Sequence, residues 1–296
     1  LGMITCLLGL GSVAMYYGPG ESSALYTSAI LAAIFHLLNH STFKGCLFMV
    51  VGIIDHQTGT RDIRRLGGLM NLMPVTFTLA VIGSFSMAGL PPFNGFLSKE
   101  MFFTSVLNAS HLDIFHMETW GIMFPVIAWT ASVFTFIYCM IIVFKTFTGK
   151  YHPQKLERKI NEASWGLLLP PALLALLVVL FFFFPNVLAR YLLIPAMASV
   201  LPDFGKTGFV VDPIEAWHGW TPELLMTIGI VAIGTLMFVY LRKWISIYAR
   251  LPVQFSLNNM YDQLLVKTEA FSARLTRAYM TGFVRDYLLY IFAFFV

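Results

Sequence analysis

Apolar residues run along this chain in blocks of about twenty, parted by short polar or basic stretches, instead of alternating as in a strand. A helix crossing a bilayer needs roughly 20 mostly apolar residues. The pattern predicts full spans at residues 22–54, 120–144, 164–184 and 221–241, with partial ones up to Tyr17 and from Phe283 onward. At about 1.5 Å per residue, the 22–54 block exceeds the roughly 30 Å hydrocarbon core, so it tilts or protrudes. Residues 73–108 are apolar throughout but cut by Gly89-Leu90-Pro91-Pro92-Phe93-Asn94-Gly95. Each proline removes a backbone donor and clashes with the preceding turn, so the block is two short elements or one interrupted span. Near the end, Met260, Leu264, Phe271 and Leu275 recur at near-helical spacing amid Lys267, Arg274 and Arg277. That predicts an amphipathic helix over 257–279 lying on a membrane surface.

Charge chooses between the two readings of 73–108. Fifteen of the 19 basic residues fall in three segments, 55–71, 145–159 and 242–285. The intervening loops hold only Arg190 and Lys206, and Lys44 and Lys99 lie inside spans. Basic loops stay on the cytoplasmic side, which requires 73–108 to cross once, as a broken helix, and 187–200 to lie on the outer face. The composition agrees: 58% hydrophobic and 11% charged over 296 residues, with a mean hydropathy of +0.75. A soluble domain carries roughly a quarter charged residues. A soluble enzyme, a disordered segment and a nucleic-acid binder are excluded, despite a net charge of +4. Cys6, Cys46 and Cys139 sit far apart in apolar runs and read as small apolar residues, not disulfides or metal ligands. Both ends lie in apolar sequence, so a longer polypeptide is expected.

A charge at mid-membrane costs about 2.5 to 3.5 kcal/mol on insertion scales, so such residues mark a polar interior or a pathway. His36, His40 and Lys44 recur every fourth residue and share one helical face. Asn39, Ser41 and Thr42 are expected to hold ordered water between them. The plainer reading is that the two histidines merely bond neighbouring helices. Lys44 weighs against it, because an ammonium within lipid must pair, snorkel or become neutral. Zinc on the histidine pair is not supported, since no further ligand accompanies it in a span.

Lys99-Glu100 lies just past the helix break formed by Gly89, Pro91, Pro92 and Gly95. Broken helices expose dipole ends and unpaired backbone, tolerated only where they line a cavity or protein interior. Lys99 therefore sits where carbonyls ending the first half-helix can receive its head, and Glu100 is either its partner or points elsewhere. A snorkelling lysine is the alternative. Few oxygen ligands lie in the spans, so proton movement is expected over metal binding and any sodium site largely outside this chain. His111, Asp113, His116 and Glu118 read as a solvated loop, and Trp217, His218 and Trp220 as an interfacial belt. No phosphate loop, dinucleotide fingerprint or hydrolase elbow appears, so neither a cofactor nor ATP drive is expected.

The run Phe35 to Gly45 (FHLLNHSTFKG), the Asp55 to Asp62 stretch after it, and Ser86 to Glu100 (SMAGLPPFNGFLSKE) strongly resemble the antiporter-like subunits shared by respiratory complex I and the Mrp cation/proton antiporters. These runs are most similar to the Mrp branch. The resemblance implies an all-α, polytopic transmembrane helix bundle with a discontinuous helix. It implies residues 1–148 as part of a second antiporter-like repeat, 149–249 as following helices with an outer loop, and 250–296 as a cytoplasmic amphipathic segment with the start of a further span. It further implies a proton conduit through His36, His40 and Lys44 to Lys99. Transport would be secondary and active, exchanging protons for sodium or another monovalent cation. The setting would be a hetero-oligomeric Mrp complex in the bacterial plasma membrane, with basic loops cytoplasmic and no enzymatic step. The rivals are a structural scaffold whose polar residues only hold helices together and a redox-driven proton-pumping subunit.

Overall fold

A computed structural model describes residues 2–17, 21–109, 121–156, 160–200, 213–217, 219–250 and 256–295, and all regular structure among them is helical. The elements are α1 (Gly2–Tyr17), α2 (Glu21–Thr58), α3 (Pro74–Ala88), α4 (Asn94–Ala109), α5 (Met123–Met140), α6 (Trp165–Phe183), α7 (Pro185–Leu188), α8 (Ile194–Val200), α9 (Pro222–Val239), α10 (Leu241–Arg250), α11 (Leu257–Tyr279) and α12 (Val284–Phe295). Among the described residues, four stretches are long and apolar enough to cross a membrane: Thr27–Thr58, Met123–Lys145, Trp165–Phe183 and Pro222–Val239. Contacts divide the chain into two units, 1–239 and 240–296.

The first unit is organised by α2, whose 38 residues form one uninterrupted helix. Reading α2 from its C-terminal end backward gives the path of α3 and α4. Leu69 and Met73 join Val50, Ile53 and Ile54 in one buried cluster. Leu79 accepts a weak bond from the Cys46 thiol at 3.7 Å, and Gly83 lies against Leu47 and the Phe43 carbonyl. Asn94 meets Asn39 and Thr42, Ser98 meets His36, and Phe96 and Leu97 pack with Ile30, Leu31 and Phe35. The order is monotonic, so α3 and α4 follow one another along α2 as a single interrupted crossing, not a hairpin.

Local chemistry explains both ends of α3. Its first turn exposes unpaired N–H groups, and Glu162 caps them: its carboxylate accepts from the backbone N–H of Val75 (2.7 Å) and Thr76 (3.3 Å) and from the Thr76 hydroxyl (2.6 Å). α3 stops at Gly89, which takes φ +80. The Gly89 N–H donates to the Ser86 carbonyl and the Leu90 N–H to the Phe85 carbonyl, a Schellman termination. Prolines alone do not stop a helix here, since α6 carries Pro170 and Pro171 within it. Those two fall early in α6, where the donors they lack would serve only the carbonyls of Gly166 and Leu167.

The connections share faces. The loop after α2 donates from the Gly68 and Met70 N–H groups to the Thr148 and Phe147 carbonyls, beyond the π-turn Ile141–Lys145 that extends α5. Glu162, just before α6, reaches the start of α3 at this same face. α9 runs parallel to α5: the Trp129 indole N–H donates to the Met226 carbonyl at 3.0 Å, Gly234 abuts Phe136, and Phe144 meets Phe238. The segments 55–71 and 145–156 and the end of α9 therefore lie at one face, as the charge pattern requires. Within the loop, Arg61 pairs with Asp55 and Arg64 with Asp62. Hydrogen bonds from the Arg64 side chain and backbone hold the Asp62 carboxyl below its ordinary range.

α7, the π-turn Ala189–Leu193 and α8 are continuous, and Leu188, Ala189, Leu193 and Met197 pack into the cluster around Ile30, Phe35 and Leu97. This segment thus lies against the half of α2 remote from the basic loops. The second unit comprises α10, α11 and α12. α11 matches the predicted amphipathic stretch and starts at Ser256, whose hydroxyl accepts from the Asn259 N–H. No residue of α11 or α12 is buried within the chain.

Candidate functional site

The site is the junction between the middle of α2 and the gap separating α3 from α4. Asn94, the first residue of α4, is fully buried and joins all three helices. Its side-chain amide donates to Asn39 Oδ1 (3.0 Å) and Thr42 Oγ1 (3.1 Å). Its Oδ1 accepts from the Ser86 hydroxyl on α3 (2.7 Å), and its own carbonyl accepts from Asn39 Nδ2 (3.1 Å). Ser86 Oγ also accepts from the Gly95 N–H (3.1 Å), and the Thr42 hydroxyl returns to the Asn39 carbonyl (2.7 Å). Asn39 and Thr42 are thus engaged directly with Asn94, where the sequence pattern has them holding water. Ser41 is exposed and donates to its own helix at Leu38.

The structure brings some of the expected residues together. His36 is buried, with Nδ1 3.0 Å from Ser98 Oγ on α4. Its ring lies 5.9 Å from that of His40, which is half-buried and meets the edge of Phe43 at 5.3 Å. Lys44, one turn on, is half-buried with its ammonium 5.8 Å from the centre of the Phe48 ring. Phe48 is itself 73% exposed, so Lys44 lies toward the chain's outer surface and not among the buried groups.

Lys99 is 4% exposed. Its Nζ donates to the Ala88 carbonyl at 2.9 Å, one of the carbonyls left open where α3 ends. Its stem crosses Gly89, where a Cβ would lie 2.5 Å from Lys99 Cδ. Gly89 is thus required by both space and its left-handed backbone, and Gly95 by space: at Gly95 a Cβ would overlap the Ser86 carbonyl oxygen.

Glu100 turns away from Lys99. It lines a cavity of about 360 Å³ with Ser28, Thr104, Ser105, Glu215 and Glu223. Among the described residues no three His, Cys, Asp or Glu converge as a metal site. His111, Asp113, His116, Glu118 and His218 lie outside the described residues. Trp217 and Trp220 are exposed, with rings 6.1 Å apart.

Sequence reasoning passed over Ser86, Asn94, Ser98 and Glu162. A signal was present for three of them: polar residues flanking a glycine-proline break inside an apolar block must find partners within the protein. Glu162 carried none, since its contact is with residues 86 and 87 positions away.

Residues 22–125 match the family model described as NADH:quinone oxidoreductase/Mrp antiporter, TM. Over 298 aligned residues the chain is 58% identical to the A-subunit of the Na(+)/H(+) antiporter of Bacillus subtilis and 53% identical to that of Alkalihalophilus pseudofirmus, covering 100% of this chain and 37% of each relative. The A1-subunit of the Na(+)/H(+) antiporter of Staphylococcus epidermidis is 43% identical over 98% of the chain and 36% of its own length. The chain therefore spans little more than a third of these relatives. A solved Mrp complex from a Dietzia species superposes with a TM-score of 0.63 at 28% identity, over 98% of this chain and 32% of the matched one. An archaeal membrane-bound sulfane sulfur reductase shares the fold, with a TM-score of 0.53 at 20% identity. Residues 22–125 thus resemble the transmembrane part described for NADH:quinone oxidoreductases and Mrp antiporters, and the chain as a whole is similar to one part of the Na(+)/H(+) antiporter A-subunit.

Proposed function

We propose that this chain is the proton-conducting part of an antiporter built from several subunits, which exchanges protons for sodium or another monovalent cation. The observation that carries the reading is Lys99: a buried amine at a helix break, held by one carbonyl of the preceding half-helix. An amine so placed has room to gain and lose a proton, and the break supplies the dipole ends that bias it. In this reading His36, His40, Lys44 and Lys99 pass protons. The paired imidazoles and the Ser98 hydroxyl supply the middle of the route, and bound water bridges them to the two amines. Glu100 offers a carboxylate on an open cavity beyond Lys99.

The names of the relatives support exchange in a hetero-oligomeric Mrp-type assembly in a bacterial plasma membrane. The shared face of residues 55–71 and 145–156 supports placing these basic segments in the cytoplasm, and the relatives' names support transport without an enzymatic step. Unequal charge movement would let the membrane potential drive exchange, at about 2.3 kcal/mol per charge per 100 mV. In everted vesicles from cells carrying the complete complex, Lys99→Ala abolishes sodium-dependent proton movement while the assembled complex is retained. Wild-type rates from Lys99→Ala would refute the role. The family description also covers quinone-linked enzymes. Exchange that persists without electron donors separates the antiporter from a redox pump.

A further inference from the structure

The relay residues do not hold one another in place: Lys44 sits against Phe48, and Lys99 hangs from a carbonyl on a different helix segment. What sets the distance between Lys99 and that carbonyl is the seam between the end of α3 and the start of α4. Besides the bond of Lys99 itself, two hydrogen bonds cross that seam: the Ser86 hydroxyl donates to Asn94 Oδ1, and the Gly95 N–H donates to Ser86 Oγ. Asn94 further ties the seam to α2 through Asn39 and Thr42, both within a turn of His40.

We propose that Asn94 is a positioning residue for proton transfer. By joining Ser86 on α3 to Asn39 and Thr42 on α2, it sets the register in which Lys99 meets the Ala88 carbonyl and Ser98 meets His36. The proposal rests on Lys99 being a relay group. Its physical basis is directional. The amide of Asn94 both donates and accepts, so it links an acceptor on α2 with a hydroxyl on α3 in one orientation, which neither an aliphatic side chain nor a carboxylate reproduces. All its partners are buried, and an unpaired polar atom there costs more than a lost surface bond, so the seam has one arrangement and not several.

The groups that face Lys99 are few. The Ala88 carbonyl comes from α3, and His36 on α2 and Cys139 on α5 lie within electrostatic reach. Tyr138 on α5 points its hydroxyl at Met87 Sδ (3.4 Å), and Glu100 on its own helix faces the cavity. Of these, the carbonyl holds the ammonium by a direct hydrogen bond. Loosening the seam weakens the hold on the proton-bearing form, so exchange is expected to favour lower pH.

The test uses the complete complex in everted vesicles, with exchange normalised to assembled complex. Asn94→Ala is expected to lower turnover about tenfold and to move the pH profile about one unit toward acid, leaving the apparent KM for sodium unchanged. Ser86→Ala, which removes only a hydroxyl, shifts the profile in the same direction by less. Wild-type turnover and pH profile for both variants would overturn the proposal, as would lowered turnover with an unmoved profile. If neither variant assembles, the near-isosteric Thr42→Val decides on the same two readouts. Lys99→Ala is run alongside. If it exchanges normally, the relay reading itself fails; if it is inactive while Asn94→Ala behaves as wild type, only the positioning role fails.

Discussion

Gly95→Ala adds one methyl group at the tightest point of the helix break, and its effect follows from the local geometry. The new Cβ would overlap the Ser86 carbonyl oxygen and lie 2.7 Å from the Ser86 carbonyl carbon, where ordinary contact begins at 3.4 Å. The obstacle is backbone, so no side-chain rotation relieves it, and α3 and α4 must part by more than the roughly 0.7 Å that the carbonyl carbon alone requires. A displacement of that size takes the Lys99 Nζ to Ala88 O contact from 2.9 Å to beyond hydrogen-bond range. It also strains the Ser86 bonds to Asn94 and to the Gly95 N–H. Overpacking costs about 1 to 3 kcal/mol, and each weakened bond adds about 0.5 to 1.5 kcal/mol. The helix preference of alanine over glycine returns up to about 1 kcal/mol. With three bonds weakened, a net loss of about 1.5 to 7.5 kcal/mol follows. The assay pairs sodium-dependent proton exchange in everted vesicles with thermal denaturation of the purified complex, using Gly52→Ala as control, since a Cβ there meets nothing within 4 Å. Gly95→Ala is expected to lower both turnover and melting temperature, and Gly52→Ala neither. A Gly95→Ala complex that melts and turns over as wild type would refute the claim that the two half-helices are in backbone contact.

Two further consequences concern the scaffold. Glu162→Ala removes the acceptor for two N–H groups and a hydroxyl at the start of α3, a loss of about 1 to 2 kcal/mol, read as a lower melting temperature of the assembled complex. Glu162→Gln, which keeps an acceptor oxygen but no charge, should fall between, and equal melting of all three forms would count against the cap. Where α5 meets α9, Gly234→Ala places a Cβ 2.5 Å from the Phe136 ring, whereas at Gly229 the nearest atom, on Trp129, is 3.4 Å away. Gly234→Ala should therefore reduce the yield of folded complex while Gly229→Ala is tolerated; the reverse order would disprove the crossing.

Much of the candidate site can be read from residue order alone, and what cannot is instructive. His36 and His40 share a face because a helix repeats every 3.6 residues, and their rings do lie together. Lys44 follows the same spacing, yet its ammonium goes to Phe48 at the chain's surface. Periodicity places a Cβ, whereas a four-carbon stem chooses its own end point. Asn39 and Thr42 read as water ligands because their nearest partner in sequence is water. Asn94, 55 and 52 positions away, reaches them only through the packing of α4 on α2. The same holds for Glu100, whose neighbours across the cavity, Glu215 and Glu223, are over a hundred residues distant.

Hydropathy and charge order by themselves determined that this chain is a bundle of membrane helices, that residues 73–108 make one broken crossing, and that the basic segments 55–71 and 145–156 share a face. Those conclusions follow from local costs, the burial of unpaired backbone and of charge in hydrocarbon, which each segment meets on its own. Tertiary structure decided which carbonyl holds Lys99, that Glu162 begins the broken helix, that Gly89 and Gly95 leave room for Lys99 and the Ser86 backbone, and that one asparagine joins three helices. These depend on which segments come side by side, and contact between distant residues is a property of packing, not of any stretch of sequence.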